Sequence, residues 1–228
     1  MSLDNKIIKA VMFDLDGTII DTEKYYRLYW PKAFAKFGYT ITDKQALGMR
    51  SLGYPFVEEY VEKISVNKAD LTEIKKYARS LVDESVKANG LELKDGVEDC
   101  LKFLKTKNVT IAIVTATAAD RTKTYIKEAN IEKYFDDIIS AKNVPHGKPA
   151  PDVYLTACEK LNVKPDETIA VEDSPNGVMS ASSAGCNVVM VPDQTEADDE
   201  LMKHLFGNIK SLRDFEDFVA EQRIIFKK

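Results

Sequence analysis

The sequence contains few cysteine and histidine residues. Among 228 residues there are 3 Cys and 2 His, and the cysteines, Cys100, Cys158 and Cys186, form no Cys-x-x-Cys pair. This scarcity argues against a disulfide framework and against a zinc site built from thiolate and imidazole ligands. Because each cysteine lies within an apolar pattern, we expect three buried free thiols, which fits a reducing cytoplasm.

Long hydrophobic runs and an excess of positive charge are also missing. No apolar run approaches the roughly 20 residues that span a bilayer, and the first residues lack the apolar region of a signal peptide. The formal net charge is -5, which disfavours non-specific binding to nucleic acid. We therefore expect a cytoplasmic protein with neither a nucleic-acid nor a membrane partner.

Short apolar, β-branched runs alternate with helical patterns after residue 90. Hydrophobic residues make up 44% of the chain, enough for a core without covalent staples. The runs predict strands over residues 7–13, 110–115, 135–140, 168–171 and 187–191. The intervening patterns predict helices over residues 120–130, 151–161 and 175–184, and a surface helix over 211–223. Continuous apolar strands separated by helices predict an α/β fold with a doubly wound, Rossmann-like parallel sheet.

Residues 21–90 differ and predict an all-helical cap domain inserted into a core made of residues 1–20 and 91–228. Helical spacing predicts helices over 22–37, 55–64 and 70–87, with Pro31 kinking or splitting the first. Residues 22–90 contain 12 Lys and Arg against 9 Asp and Glu, whereas the rest contains 20 against 28. A basic cap over an acidic core suits a dianionic substrate bridged by a metal, although solvated helix faces have the same composition.

Two carboxylates follow the first predicted strand at a spacing of two residues. Asp14 and Asp16 come directly after the apolar run that ends at Phe13. Alternate residues of a strand share a face, so both side chains can point into the crevice at the carboxyl end of the sheet. Paired carboxylates repel one another unless a cation compensates, and Mg²⁺ prefers such oxygen ligands. The alternative to a metal site is an ordinary Asp-Gly turn after the strand.

Polar residues also follow three later apolar segments. Thr115 and Ala116 end the second strand, where a hydroxyl and main-chain N–H groups can hold phosphate oxygens. Lys148 lies between Gly147 and Pro149, and Glu172 with Asp173 ends the fourth strand. Each feature alone is also typical of a helix cap, a solvated loop lysine or a helix start. Their convergence at strand ends favours a site for Mg²⁺ and phosphate.

Taken together, these motifs resemble the haloacid dehalogenase-like superfamily in its four-motif phosphatase form. The matching residues are Asp14-Leu15-Asp16-Gly17-Thr18, Thr115, Gly147-Lys148-Pro149 with Pro151-Asp152, and Glu172-Asp173-Ser174-Pro175-Asn176-Gly177. They occur in the family's order between about residues 8 and 191. A helical insertion directly after the first motif is similar to the cap of the β-phosphoglucomutase-like branch.

The resemblance implies a role for each matching residue. Asp14 is the expected nucleophile, and Asp16 the expected general acid and base. The expected Mg²⁺ ligands are Asp14, the main-chain carbonyl of Asp16, Asp173, and Glu172 directly or through water. The expected phosphoryl-binding groups are Thr115, Ala116 and Lys148. Asp16 argues against a dehalogenase, which lacks an acid there.

The resemblance further implies a phosphatase acting on a small phosphorylated metabolite such as a sugar phosphate. The alternative is a hexose-phosphate mutase of the β-phosphoglucomutase type. In that enzyme a histidine lies twelve positions after the nucleophile, where this chain has Tyr26, and tyrosine does not replace histidine as a proton carrier near neutral pH. A non-catalytic binding protein would have lost a nucleophile, acid or lysine, and this chain retains all three.

Substrate choice in the same branch depends on the cap. The segment Gly48-Met49-Arg50-Ser51 falls where the family's specificity loop lies. We expect Arg50 to bind a second anionic or hydroxyl-rich part of the substrate. The aromatic residues Tyr25, Tyr26, Tyr29 and Trp30 either shape the pocket or form the core of the cap, and their helical spacing favours the core.

Overall fold

Parallel β-strands form the centre of the protein. Within residues 6–64 and 66–227, which the computed structural model describes, they form one six-stranded and one two-stranded sheet. The strands are Lys6–Ile8 (β1), Ala10–Phe13 (β2), Thr110–Thr115 (β3), Asp137–Ser140 (β4), Thr168–Glu172 (β5), Asn187–Met190 (β6), Gly207–Asn208 (β7) and Ile224–Phe226 (β8). The large sheet has the order β4-β3-β2-β5-β6-β7, and β1 pairs with β8 outside it.

Strand β2 lies in the middle of the large sheet and is buried on both faces. Phe13 is in register with Ile113 of β3 and with Val171 of β5, and all the strand pairs are parallel. Val11 and Phe13 pack into one hydrophobic cluster, whereas Ala10 and Met12 pack into another on the opposite face. The chain crosses to opposite sides of β2, so the predicted doubly wound α/β fold is confirmed.

Helices cover both faces of this sheet. They are Val97–Thr106 (α5), Ala119–Glu128 (α6), Asp152–Leu161 (α7), Pro175–Ser183 (α8), Asp199–Met202 (α9) and Phe215–Glu221 (α10), numbered after four cap helices. The clusters place α5, α6 and α10 against one face and α7, α8 and α9 against the other. None of the described helices is both long and apolar enough to cross a membrane.

The segment between β2 and β3 contains the four cap helices. They are Glu23–Lys36 (α1), Asp43–Gly48 (α2), Phe56–Lys63 (α3) and Lys68–Asn89 (α4). Helix α1 is continuous across Pro31. Phe34, Val61 and Ile74 belong to a buried cluster of the cap's own. The observed helices agree with the predicted insertion. The exact boundaries between core and cap, at residues 20 and 91, stay a prediction, and the first five residues of the predicted core lie outside the described residues.

Three sequence expectations were wrong in part. The single strand predicted over residues 7–13 is divided, because β1 ends at Ile8 and pairs with β8, whereas β2 begins at Ala10 and belongs to the large sheet. Cys100 and Cys158 are buried free thiols, but Cys186 is only half-buried because it lies in the turn that leads into β6. The chain over residues 211–223 is a short 3-10 turn followed by α10, and Phe215 is fully buried in the core. It is therefore a packed helix with one apolar face rather than a purely superficial one.

The cap and the core meet closely at two glycines. The Gly53 N–H donates to the Lys148 carbonyl at 2.8 Å, and the Gly147 N–H donates to the Tyr54 carbonyl at 2.7 Å. A Cβ atom on Gly53 would lie 2.5 Å from the Gly147 Cα, a distance that real Cβ atoms do not adopt. The absence of side chains at both positions thus permits a direct main-chain contact beside Lys148.

Candidate active site

The carboxyl ends of three adjacent strands bring the motif residues together. Asp14 follows β2, Thr115 ends β3 and Glu172 ends β5, with Asp173 next to it. The loop before α7 places Lys148 against them, and this lysine is completely buried. Since the central strands are parallel and in register, residues that are far apart in sequence share one crevice.

Lys148 links the nucleophile candidate to the metal-ligand candidates. Its Nζ donates to Asp14 Oδ1 at 2.7 Å, to Glu172 Oε1 at 2.6 Å and to the Val114 carbonyl at 3.1 Å. The Tyr154 hydroxyl also donates to Glu172 Oε1, at 2.5 Å. The ammonium group thereby uses all three donors and neutralises part of the buried negative charge.

The remaining carboxylate oxygens fit a divalent cation. Ligand oxygens of Asp14, Glu172 and Asp173 lie within 4.8 Å of one another. Asp14 Oδ2 and Glu172 Oε2 are buried and have no hydrogen-bond partner among the described residues. Such orphaned anionic atoms are costly without a cation. A hard ion that prefers carboxylate oxygens, such as Mg²⁺, matches this donor set.

Two glycines lie directly against these metal-ligand candidates. A Cβ atom on Gly17 would lie 2.4 Å from Asp173 Oδ2, and one on Gly177 would lie 1.9 Å from Glu172 Oε2. Gly17 has a φ of 85°, a conformation that side chains oppose. The glycines in the first and last motifs are therefore required by the close approach of the metal-ligand candidates.

Asp16 lies in the same crevice but has different partners. Thr22 donates to its Oδ1 at 2.5 Å, and Thr117 donates to its Oδ2 at 2.7 Å. Its side chain is not a member of the carboxylate group that could hold a metal. The expected metal contact of Asp16 through its main-chain carbonyl stays a prediction. The two threonines fix the carboxyl group in one orientation, which suits a proton carrier.

Thr115 and Ala116 lie where the second motif was expected to bind phosphoryl oxygens. The Thr117 main-chain N–H donates to Thr115 Oγ1 at 3.0 Å, so the Thr115 hydroxyl hydrogen is free to point elsewhere. Both residues line the same pocket as Asp14 and Asp16.

Arg50 reaches the metal-ligand candidates from the cap. Its Nη2 donates to Asp173 Oδ2 at 2.7 Å and to the Asp173 carbonyl at 2.9 Å, and its Nη1 donates to Thr195 at 3.0 Å. The side chain is buried and lies beside Glu23, whose Oε2 is 3.9 Å from Nε. Arg50 lines the pocket, but its terminal nitrogens bind core residues. A substrate contact by Arg50 stays a prediction.

Burial shifts the titration of the acidic groups. Desolvation raises the pKa of Asp14 well above its usual value, with Lys148 opposing the shift. Desolvation, opposed by Arg50 and reinforced by Glu172, raises the pKa of Asp173 to about 7. Desolvation and the nearby Asp173 also raise the pKa of Glu23. The ionised forms of these carboxyl groups are therefore less favourable here than in water until a cation joins them.

This arrangement predicts how stability varies with pH. A folded-state pKa above the unfolded value of 3.8 stabilises the fold at low pH, and that stability is lost as pH rises towards about 7. Protein kept in EDTA should therefore unfold at a lower temperature at pH 8 than at pH 5. Asp173 alone accounts for about 3 kcal/mol or less of that difference in the free energy of unfolding. Thermal unfolding measured across this range checks the sign.

The same unfolding measurements repeated with Mg²⁺ in place of EDTA provide the comparison. Because protons compete with a cation for the same oxygens, Mg²⁺ should raise the melting temperature more at pH 8 than at pH 5. A melting temperature that rises with pH in EDTA, or a Mg²⁺ effect confined to pH 5, would contradict the assigned carboxylate cluster.

Several contributors to the site were missed by the sequence analysis. Thr117 had an available signal, since it follows Thr115 by two residues at a strand end. Glu23 has the position of an ordinary acidic residue in a helix's first turn. In the sequence, Thr22 looks like a helix-capping residue and Tyr154 looks like a core residue of a helix. Their roles depend on tertiary packing rather than on local sequence.

Comparisons with known proteins agree with this geometry. A family model described as haloacid dehalogenase-like hydrolase matches residues 11–191. The chain is 32% identical over 183 residues to a phosphorylated carbohydrates phosphatase of Thermotoga maritima, covering 78% of this chain and 82% of that protein. It is 32% identical over 228 residues to a probable pseudouridine-5'-phosphatase of Drosophila melanogaster, covering 92% and 94%.

The fold is shared with solved structures of lower sequence identity. A β-phosphoglucomutase of Clostridium difficile has a TM-score of 0.79 at 23% identity, covering 95% of this chain and 97% of the other. A hydrolase of Pseudomonas syringae has a TM-score of 0.83 at 17% identity, covering 93% and 98%. At these identities the likeness shows a common fold.

Proposed function

Because the chain belongs to the haloacid dehalogenase-like hydrolase family, we propose that it is a Mg²⁺-dependent phosphatase acting through a phosphorylated Asp14. Its substrate is a small phosphorylated metabolite, with sugar phosphates as the leading class. The observation that carries this proposal is the buried Asp14 carboxylate, held through Oδ1 by Lys148 with Oδ2 unpartnered, beside the independently fixed acid Asp16. The phosphatase names of relatives about one third identical support the same chemistry.

The first step transfers the phosphoryl group to Asp14. One carboxylate oxygen of Asp14 attacks phosphorus while the bond between phosphorus and the leaving oxygen breaks. Asp16 donates its proton to that oxygen, so the product leaves as an alcohol rather than as an alkoxide. Thr22 and Thr117 hold the Asp16 carboxyl group in place during this transfer.

The second step releases inorganic phosphate. Asp16, now ionised, takes a proton from water, and the water oxygen attacks phosphorus. The bond from phosphorus to Asp14 then breaks, which regenerates both carboxyl groups. Covalent catalysis of this kind replaces one difficult displacement by two easier ones.

The surrounding groups hold the phosphoryl oxygens and balance charge. The Thr115 hydroxyl and the Ala116 main-chain N–H are the donors available to the phosphoryl group. The Lys148 ammonium, whose three donors bind Asp14, Glu172 and the Val114 carbonyl, contributes its positive charge. Asp14, Asp173 and Glu172 would hold Mg²⁺, with the Asp16 carbonyl as a further oxygen ligand. The ion would supply Lewis-acid stabilisation of the negative charge on the transferring phosphoryl oxygens.

Hydrolysis is favoured over a mutase reaction by the residue at position 26. Tyr26 lines the pocket, and burial together with the nearby Asp16 charge raises the pKa of its hydroxyl. Such a phenol neither gains nor loses a proton near neutral pH. Asp16 therefore has no histidine partner here of the kind that the mutase alternative requires.

Phosphate release from a panel of substrates tests the proposed function. The panel contains sugar phosphates, nucleotides and pseudouridine 5'-phosphate, each assayed with Mg²⁺ and with EDTA. We expect release that requires Mg²⁺ and is strongest for a small phosphorylated metabolite. Interconversion of hexose 1- and 6-phosphates without release would instead identify a mutase.

Replacement of Asp16 separates the two chemical steps. We expect Asp16→Asn to lower kcat by roughly 10²–10⁴, the range for loss of a general acid or base. With p-nitrophenyl phosphate, whose leaving group needs no proton, the first step should survive while the second stalls. Rapid-mixing measurements should then show a burst of nitrophenol close to one equivalent per enzyme. Steady turnover at the wild-type rate would contradict the role of Asp16.

A further inference from the structure

Three cations from the cap and the core line the pocket that contains Asp14. Lys75 and Arg79 lie on α4, and Lys142 follows β4 in the core. Lys75 and Arg79 are four residues apart and therefore share one face of the helix. The pocket thus has a positively charged wall in addition to the acidic centre formed by the motif residues.

The three cations lack close anionic partners. Within residues 6–64 and 66–227, the charged groups of Lys75, Arg79 and Lys142 form no ion pair and no hydrogen bond, although Glu58 exerts a weaker attraction on Lys75. Burial, Lys142 and Arg79 lower the pKa of Lys75 to about 8. Partial desolvation and the nearby Arg79 also lower the pKa of Lys142. Lys75 is half-buried, whereas Arg79 and Lys142 are exposed to solvent, so the three cations can be reached by an anion, which reduces the repulsion among them.

Arg50 does not provide an alternative site for such an anion. Its terminal nitrogens bind Asp173 and Thr195, and Glu23 lies beside its Nε. The Arg50 guanidinium is therefore already paired within the protein, whereas an anionic substituent of the substrate needs an unpaired cation. The wall formed by Lys75, Arg79 and Lys142 is the part of the pocket where it would be attracted.

We propose that Lys75, Arg79 and Lys142 form a second anion subsite, and that the preferred substrate has another anionic group besides the phosphoryl group cleaved at Asp14. This assignment rests on the proposed phosphatase function and narrows its substrate class to small metabolites with two anionic groups. The second group is a phosphate or a carboxylate, since both accept charge-assisted hydrogen bonds from ammonium and guanidinium groups. Because two of the three cations belong to the cap, the subsite also draws the cap towards the bound substrate.

Matched substrate pairs test the subsite. Fructose 1,6-bisphosphate is compared with fructose 1-phosphate, and 3-phosphoglycerate with glycerol 3-phosphate. In each pair the first compound has two anionic groups and the second has one. In at least one pair the wild-type protein should prefer the compound with two anionic groups by roughly tenfold or more in kcat/KM, which corresponds to about 1.4 kcal/mol. The pair that shows the preference distinguishes a phosphate from a carboxylate. Equal kcat/KM values within both pairs would overturn the subsite while leaving the phosphatase proposal intact.

Charge removal on α4 gives the decisive comparison. Lys75→Gln and Arg79→Gln should each reduce kcat/KM for the preferred substrate with two anionic groups by roughly tenfold, mainly through KM. They should change kcat/KM little for its partner in the pair, which has a single phosphate and no second anionic group. Lys75→Arg should restore most of the loss. The control is Lys76→Gln, because the Lys76 side chain is 77% exposed on the same helix; it should change neither substrate. Equal losses on both members of a pair would overturn the proposal.

Binding without turnover separates this inference from the proposed function. Calorimetry with Asp14→Asn protein measures the affinity for fructose 1,6-bisphosphate and for 3-phosphoglycerate, whether or not the native protein releases phosphate. Binding that weakens when Lys75→Gln and Arg79→Gln are added supports the subsite even if the panel shows no phosphatase activity. Binding unaffected by both changes overturns it. Unchanged melting temperatures show that the variants are folded.

Discussion

Asp14→Asn protein should be folded and inactive. The amide oxygen is a poor nucleophile, so we expect kcat to fall by roughly 10⁴ or more, as when the nucleophile of other covalent enzymes is removed. Folding should survive because desolvation already raises the pKa of Asp14, which means that a neutral side chain is tolerated at this buried position. Phosphate release and thermal unfolding measured on the same preparation check both statements.

Detection of the covalent intermediate tests directly whether Asp14 is the nucleophile. An acyl phosphate on Asp14 is labile to alkali and to hydroxylamine, unlike a phosphate ester on serine or threonine. Wild-type protein quenched with acid during turnover should contain such a group, and Asp14→Asn protein should not. Substantial turnover by purified Asp14→Asn, or an acyl phosphate on another residue, would refute the assignment of the nucleophile.

Loss of Lys148 should damage both stability and catalysis. The Lys148 ammonium is fully buried between Asp14 and Glu172. Lys148→Met retains an apolar stem but leaves two buried carboxylates without their cation, which typically costs about 3–5 kcal/mol. For a chain of this size that loss lowers the melting temperature by about 10 °C. We also expect almost no phosphatase activity, because the phosphoryl group loses the positive charge beside Asp14.

Two further variants show whether the cause is electrostatic. Adding Glu172→Gln to Lys148→Met removes one of the stranded charges and should recover part of the lost stability without restoring activity. Lys160→Met is the matched surface control, because the Lys160 side chain is 54% exposed and pairs with Asp137. It should change the melting temperature little, as exposed ion pairs contribute little. Equal losses for Lys148→Met and Lys160→Met would contradict the special role of the buried pair.

The sequence predicts which residues meet at the candidate site because each part of the site is local to a strand end. Asp14 and Asp16 are separated by two residues, and Glu172 and Asp173 are neighbours, so a correct strand assignment is sufficient to place their side chains at one edge of the sheet. Strand β2 is recognisable from its continuous apolar run. The edge strands β7 and β8 are too short to have such a pattern, and they were not predicted.

The cap is harder to predict because its contribution depends on how helices are oriented over the core. Arg50 was correctly placed in a loop that lines the pocket, but its contact with Asp173 depends on the docked position of α2. Lys75 and Arg79 look like ordinary charged residues of an amphipathic helix. Only the approach of α4 towards Lys142 shows that they face the pocket, and no sequence spacing encodes that approach.

The paired glycines at the junction constrain how this protein can be re-engineered. Gly53 and Gly147 leave no space for a side chain between the two main chains, so a cap transplanted from a relative would have to present a glycine opposite Gly147. A donor cap with any larger residue there would push the loop away and move Lys148 with it. Chimeras intended to exchange specificity should therefore be cut so that residues 53–54 and 147–148 are inherited together from one parent.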